Sequence, residues 1–121
     1  IEHYVREDIS IIQQPDVIYQ QGNTEWSLSA DNGRLMHQSD QLEFTLAVKL
    51  TRLQPENPMQ LTTETLLFIP ADEVVRINAQ ISIIAEQYTM QAHSAVMDFK
   101  QGQHIFKKVK AVYNSYEKTS G

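Results

Sequence analysis

The side chains able to do chemistry are few, and they are badly spaced for it. The four histidines are His3, His37, His93 and His104. No two stand at the i, i+2 or i+4 interval that sets a pair of imidazoles on one face of a strand or helix as metal ligands, so no metal site is expected. The absence of cysteine removes thiol catalysis, thiolate ligands and disulfide frameworks, and leaves the compartment open. Serine and threonine are common, but no Gly-x-Ser-x-Gly elbow occurs. The four glycines, at 22, 33, 102 and 121, are isolated, so no loop is built to cradle a phosphate. The best enzymatic arrangement left is glycoside hydrolysis by paired carboxylates, with Asp31, Glu64 and Asp98 as candidates. Each adjoins a turn, where an acidic side chain commonly caps or solvates the chain. The expectation is a protein with no catalytic residue and no cofactor, with a carbohydrate-binding or hydrolytic β-sandwich as the alternative.

The elements that position these side chains repeat with period two, the signature of strands with one apolar face. Ile9, Ile11 and Gln13 alternate with Ser10 and Ile12, and a second short strand covers 17–20 before a Gly22-Asn23 turn. In EWSLSADNGRL, Trp26, Leu28 and Ala30 alternate with Ser27, Ser29 and Asp31, and Asn32-Gly33 reads as the turn that ends the strand. The cleanest alternation is Leu42, Phe44, Leu46, Val48 and Leu50. The segment QPENP interrupts the pattern, since Pro55 and Pro58 cannot donate to a ladder. Further strands are expected over 59–69 and 74–77, with Pro70-Ala71-Asp72 turning between them, and then over 80–85, 88–98 and 104–113, with a turn at Gly102. Residues 71–87 have some helical composition, but their Val and Ile are β-branched, so strand is the reading retained.

Three stretches share a form: WSLSADNGRL, MQLTTETLLF and YTMQAHSAVM. Their common small positions are Ala30, Thr63 and Ala92, which implies stacked β-units that bury their faces against neighbours. The 121 residues suit one domain, taken as 1–113 with a flexible tail over 114–121. The chain is 41% hydrophobic and 21% charged, and no run of apolar residues is long enough to span a membrane. A net charge of −5 argues against broad nucleic-acid binding. Lys100, Lys107, Lys108, Lys110 and Lys118 supply half of the ten basic residues, making the last segment locally cationic.

Taken in order, IEHY, QQP, TEWSLSADNGRL, QLEFTLAVKL, LTTETL and FKKVKAVY resemble the LptC family of lipopolysaccharide-export proteins, over nearly the whole chain. The related LptA proteins share the fold and are the nearest confusion; the Trp26 strand and the early end after the lysine-rich strand look more like LptC. The family often has glycine where this chain has Leu46 and near Ala79. The resemblance implies an all-β, twisted, boat-shaped jellyroll of two facing antiparallel sheets, with no catalytic site. It implies missing N-terminal strands and an upstream membrane helix that tethers a periplasmic domain to the inner membrane, in keeping with a first residue that is Ile1 and not Met.

By the same resemblance, the domain receives lipopolysaccharide from the LptB, LptF and LptG transporter, with LptF meeting the N-terminal edge, and passes it to LptA at the C-terminal edge. Acyl chains lie between the sheets. The apolar residues expected to line them are Ile12, Trp26, Leu28, Phe44, Leu46, Val48, Leu61, Leu67, Ile81, Ile83, Met90, Phe99 and Phe106. The strand expected to meet LptA comprises Lys108, Val109, Lys110, Ala111, Val112 and Tyr113, with Lys108 and Lys110 on one face and Val109, Ala111 and Tyr113 on the other.

Overall fold

The computed structural model describes residues 8–53 and 58–113. These form twelve strands: β1 (Ile9–Gln13), β2 (Asp16–Gln21), β3 (Thr24–Ser29), β4 (Asn32–Met36), β5 (Gln41–Leu53), β6 (Met59–Ile69), β7 (Val74–Ile77), β8 (Ile81–Ala85), β9 (Tyr88–Ala92), β10 (Ser94–Asp98), β11 (Gln103–Lys107) and β12 (Lys110–Tyr113). The all-β expectation holds, and 71–87 forms the strands β7 and β8 with turns around them and no helix. Pro55, the tail over 114–121 and His3 lie outside the described residues.

All pairings are antiparallel and follow two paths that share β5 and β6. One path runs β1-β4-β5-β6-β7-β10-β11; the other runs β2-β3-β5-β6-β8-β9-β12. The long strands serve both: Gln41 to Thr45 of β5 pair with β4, and Lys49 to Leu53 pair with β3. Likewise Ile69 to Leu67 of β6 pair with β7, whereas Met59 to Thr62 pair with β8. A single hydrogen-bonded sheet is thereby folded across its middle into two facing halves. This is the expected jellyroll, with its two layers continuous through β5 and β6.

The fold line is a row of corners. At its centre Leu46 and Ala47 have φ of 67° and 52°, and the β5–β6 register shifts between Thr45 and Val48. Two residues of β5 there oppose Glu64 alone, which makes a β-bulge and bends the strand. Gln14 (φ 49°) and Lys108 (φ 55°) turn the chain at the two ends of the row. Neighbouring corners are bonded to one another. The Gln14 N–H donates to the Asp31 carbonyl (2.9 Å), the Asp31 N–H to the Leu46 carbonyl (2.9 Å), and the His93 N–H to the Lys107 carbonyl (3.0 Å). The Thr63 hydroxyl donates to the Gln80 carbonyl at 3.1 Å. The repeated small residues now have a physical role: Ala30, Thr63 and Ala92 sit at corners and are 9%, 8% and 1% exposed, where a larger side chain would hold the halves apart.

Several expected boundaries move because of these corners. Asn32-Gly33 is not a turn; the chain bends at Ala30–Asp31, and Asn32 opens β4. Gly33 is buried because Pro15 fills its side-chain space: a Cβ added there would lie 3.1 Å from the proline Cγ. The single strands expected over 88–98 and 104–113 are each two strands, divided at His93 and at Lys108–Val109. Turns at Gly22 and Gly102 are present, both glycines having positive φ. The core between the halves is built from side chains such as Phe44, Leu61, Leu66, Ile77, Ile81 and Met97, each at most 1% exposed. Burying each stabilises the fold by about 1.5–3 kcal/mol.

Candidate functional site

The interior narrows to a small apolar cavity near one side of the fold. Val17 and Tyr19 of β2, Trp26 and Leu28 of β3, and Leu50 of β5 form one wall; Phe68 of β6, Val75 of β7 and Phe99 form the other. The free space is about 20 Å³. That holds roughly one water and no lipid chain, so the protein's own side chains fill the gap between the halves.

Aromatic rings do most of the filling. Trp26 and Phe99 meet edge to face at 5.0 Å between centroids, and Tyr19 touches Phe99 at 5.8 Å and Phe68 at 6.3 Å. His104 of β11 joins the cluster at 5.5 Å from Phe99 and 6.0 Å from Trp26. The Arg52 guanidinium lies 5.7 Å from the Trp26 ring centre, a cation–π distance. Trp26 Nε1 and His104 Nδ1 are buried without a hydrogen-bond partner among the described residues, which costs stability in the packed state. Burial lowers the His104 pKa from 6.5, and the Arg52 charge lowers it further. The Tyr19 hydroxyl donates to Glu73 Oε1 across the two halves. That bond, then burial and the negative charge of Glu73, push the tyrosine pKa up from 10.0 to about 12.

The residues expected to line a lipid path divide by depth. Trp26, Leu28, Phe44, Val48, Leu61, Ile81, Ile83 and Phe99 are buried, while Ile12, Leu67, Met90 and Phe106 are half-buried. Only Trp26, Leu28 and Phe99 touch the cavity; Met90 and Phe106 pack against the core around it. Leu46, expected beside Phe44 and Val48, is 55% exposed because the bulge turns it out of the alternation. The opposing strand changes phase at the same point: Met59, Leu61 and Thr63 face inward, then Leu66 and Phe68. Leu67 therefore shares a row with Glu43 and Arg76, on the side away from Leu66. Sequence reasoning missed Val17, Tyr19, Leu50, Phe68 and Val75 as cavity residues. The Val17-x-Tyr19 alternation was readable, but which face pointed inward was not.

The candidate ligands and acids are dispersed. His37 Nε2 bonds Ser10 Oγ at 2.7 Å, His93 is exposed at a corner, and His104 sits in the aromatic cluster. Among the described residues no group of three or more His, Cys, Asp or Glu could hold a metal ion. Asp31 and Glu64 lie exposed at separate corners, and Asp98 Oδ1 accepts the Gln101 N–H at 3.0 Å, capping the β10–β11 turn.

The two ends of the sheet differ in charge. Among the described residues, β1 and β2 at one end are each bonded along one side only, and at the other end so are β11 and β12. Residues 8–33 contain Asp8, Asp16, Glu25 and Asp31 but no Lys or Arg, whereas 99–113 contain Lys100, Lys107, Lys108 and Lys110 but no Asp or Glu. Lys108 is a corner residue and not part of β12, so the expected shared face of Lys108 and Lys110 does not form. All four residues of β12 are exposed, Val112 at 55% and Tyr113 at 73%.

No curated protein gives a significant match to this sequence. A family model does: "Lipopolysaccharide-assembly, LptC-related" matches residues 1–114. That family serves lipopolysaccharide transport as a periplasmic component of the export system. With nearly the whole sequence matched and a folded antiparallel sheet enclosing an apolar interior, the chain belongs to the LptC-related lipopolysaccharide-assembly family.

Proposed function

We propose that this domain carries lipopolysaccharide by its acyl chains, which occupy the apolar space between the two halves, and that it has no catalytic role. The observation that supports this most directly is the cavity, lined on both sides by the carbon side chains of Val17, Trp26, Leu28, Phe68, Val75 and Phe99. Each methylene removed from water there stabilises the bound lipid by ~0.8 kcal/mol, so holding the chains requires no specific polar contact. Because resident side chains already fill the space, lipid displaces packing and not water. Affinity is reduced accordingly, which suits a carrier that must release its cargo.

In this reading the domain stands in the periplasm, tethered by an upstream helix to the inner membrane. The β1/β2 end faces LptF and LptG and takes lipopolysaccharide delivered by the LptB-driven transporter. The β11/β12 end adds strands to LptA and hands the cargo on. Among the described residues both ends present a strand edge, which supports strand addition at each, since an unpaired edge is a template for another strand.

Adjacent positions on β2 provide the test. Val17 lines the cavity, and Ile18 points away, 62% exposed. A photo-crosslinking residue at Val17 is expected to capture lipopolysaccharide in cells, and the same residue at Ile18 is not. Equal capture at both positions, or capture at Ile18 alone, would show that the lipid travels along the outside.

A further inference from the structure

The cavity has room for about one water, so an acyl chain can enter only if one of its walls moves. β3, β5, β6 and β7 are each hydrogen-bonded along both sides, whereas β2, among the described residues, is bonded along one side only, to β3. An edge strand opens at lower free energy than a strand paired on both sides. β2 begins at Asp16, two residues after the positive-φ corner at Gln14.

Beyond its ladder to β3, β2 is tied to the facing half through Tyr19. The Tyr19 ring packs on Phe68 and Phe99, and its hydroxyl donates to Glu73, 54 residues away in the chain. Glu73 is a well-anchored point. It ends the β6–β7 turn at φ 52°, its N–H donates to the Pro70 carbonyl at 3.1 Å, and its carbonyl accepts the Phe99 N–H at 2.9 Å. The residue thus joins the β6–β7 turn to the β10–β11 turn, and its carboxylate is where the edge strand fastens.

We propose that Tyr19 and Glu73 form a latch across the mouth of the interior, and that release of β2 from it is the step that admits an acyl chain. This rests on the acyl-chain reading above. Release breaks a charge-assisted hydrogen bond and withdraws one ring from the aromatic cluster, so the latch governs how fast the interior opens. The freed carboxylate is hydrated and the ring re-enters when lipid leaves, so the step is reversible.

The test uses the full chain and two measurements: the rate of uptake of fluorescently labelled lipopolysaccharide, and hydrogen exchange of the β2 amides without lipid. Tyr19→Phe keeps the ring and removes the donor. Glu73→Ala removes the acceptor, and Glu73→Gln keeps a carbonyl oxygen for the hydroxyl. Tyr19→Phe and Glu73→Ala are expected to speed uptake about tenfold and to raise β2 exchange, the scale set by loss of one partly exposed hydrogen bond to a charged group. Glu73→Gln, which keeps an acceptor but loses the charge, is expected to fall between the unsubstituted chain and Glu73→Ala in both measurements. Unchanged uptake in folded Tyr19→Phe and Glu73→Ala overturns the latch, whatever the exchange shows. Failure of the unsubstituted chain to take up lipopolysaccharide overturns the acyl-chain reading, and the latch with it.

Discussion

His104 is the side chain whose protonation most directly touches the interior. Its imidazole lies against Trp26 and Phe99, and burial, assisted by Arg52, holds its pKa below the ordinary 6.5. The folded state therefore favours the neutral ring. Its contribution to stability is complete above pH 6.5, the unfolded value, and is lost as pH falls towards the lower folded value. Trp26 is the only tryptophan in the chain and reports the event. Acid titration of its fluorescence is expected to show a transition with a midpoint below 6.5, because a protonated imidazole quenches a neighbouring indole. His104→Phe, which keeps an aromatic ring and removes the unpartnered Nδ1, is expected to abolish that transition and to flatten the loss of stability over the same range. An unchanged fluorescence titration in the variant would assign the transition to another group.

At the scale of elements, the corners decide which side chains face inward. The central bulge places Leu46 at φ 67°, a conformation that costs a residue with a Cβ about 1–2 kcal/mol. Glycine avoids that strain but loses about 0.5–1 kcal/mol through its freer unfolded chain. Leu46 is 55% exposed, so little burial is forfeited. Leu46→Gly is expected to raise stability by roughly 0.5–1 kcal/mol, read as a higher denaturant midpoint at constant slope. A lower midpoint would mean that the leucine side chain contributes packing beyond its visible burial. Family members with glycine here would be relieving the same backbone strain.

For the molecule as a whole, the separation of charge between the two ends gives the proposed end-to-end pairing a direction. The end bearing β11 and β12 carries Lys107, Lys108 and Lys110, all exposed, with exposed Ile105, Val112 and Tyr113 around them. Edge strands of like charge repel, so this end favours an acidic partner edge and disfavours a second copy of itself. Under the proposed pairing of this end with LptA, replacing the three lysines together with glutamine is expected to slow that association by about tenfold at low salt and to remove most of its salt dependence, while thermal stability is unchanged. An association rate insensitive to both salt and the substitution would leave backbone pairing alone to carry that interface.

Period-two alternation and the repeated small residues determined most of this architecture. Strand is favoured wherever β-branched and aromatic residues alternate with polar ones, and Gly22, Pro70 and Gly102 mark turns that local backbone preference alone dictates. The sequence also carried the ordered family pattern, and it placed Trp26 and Leu28 on an inward face. What it could not determine was where a strand passes from one half to the other. A corner needs only one or two residues at positive φ, and Gln14, Leu46, Ala47 and Lys108 carry no glycine signal there. Each corner can reset the alternation, so Leu46 left the interior and Phe68 entered it. Tertiary structure alone brought Tyr19 to Glu73 and His104 to Trp26, because those contacts depend on how the sheet closes upon itself, and closure is a property of the packed halves, which no single strand specifies.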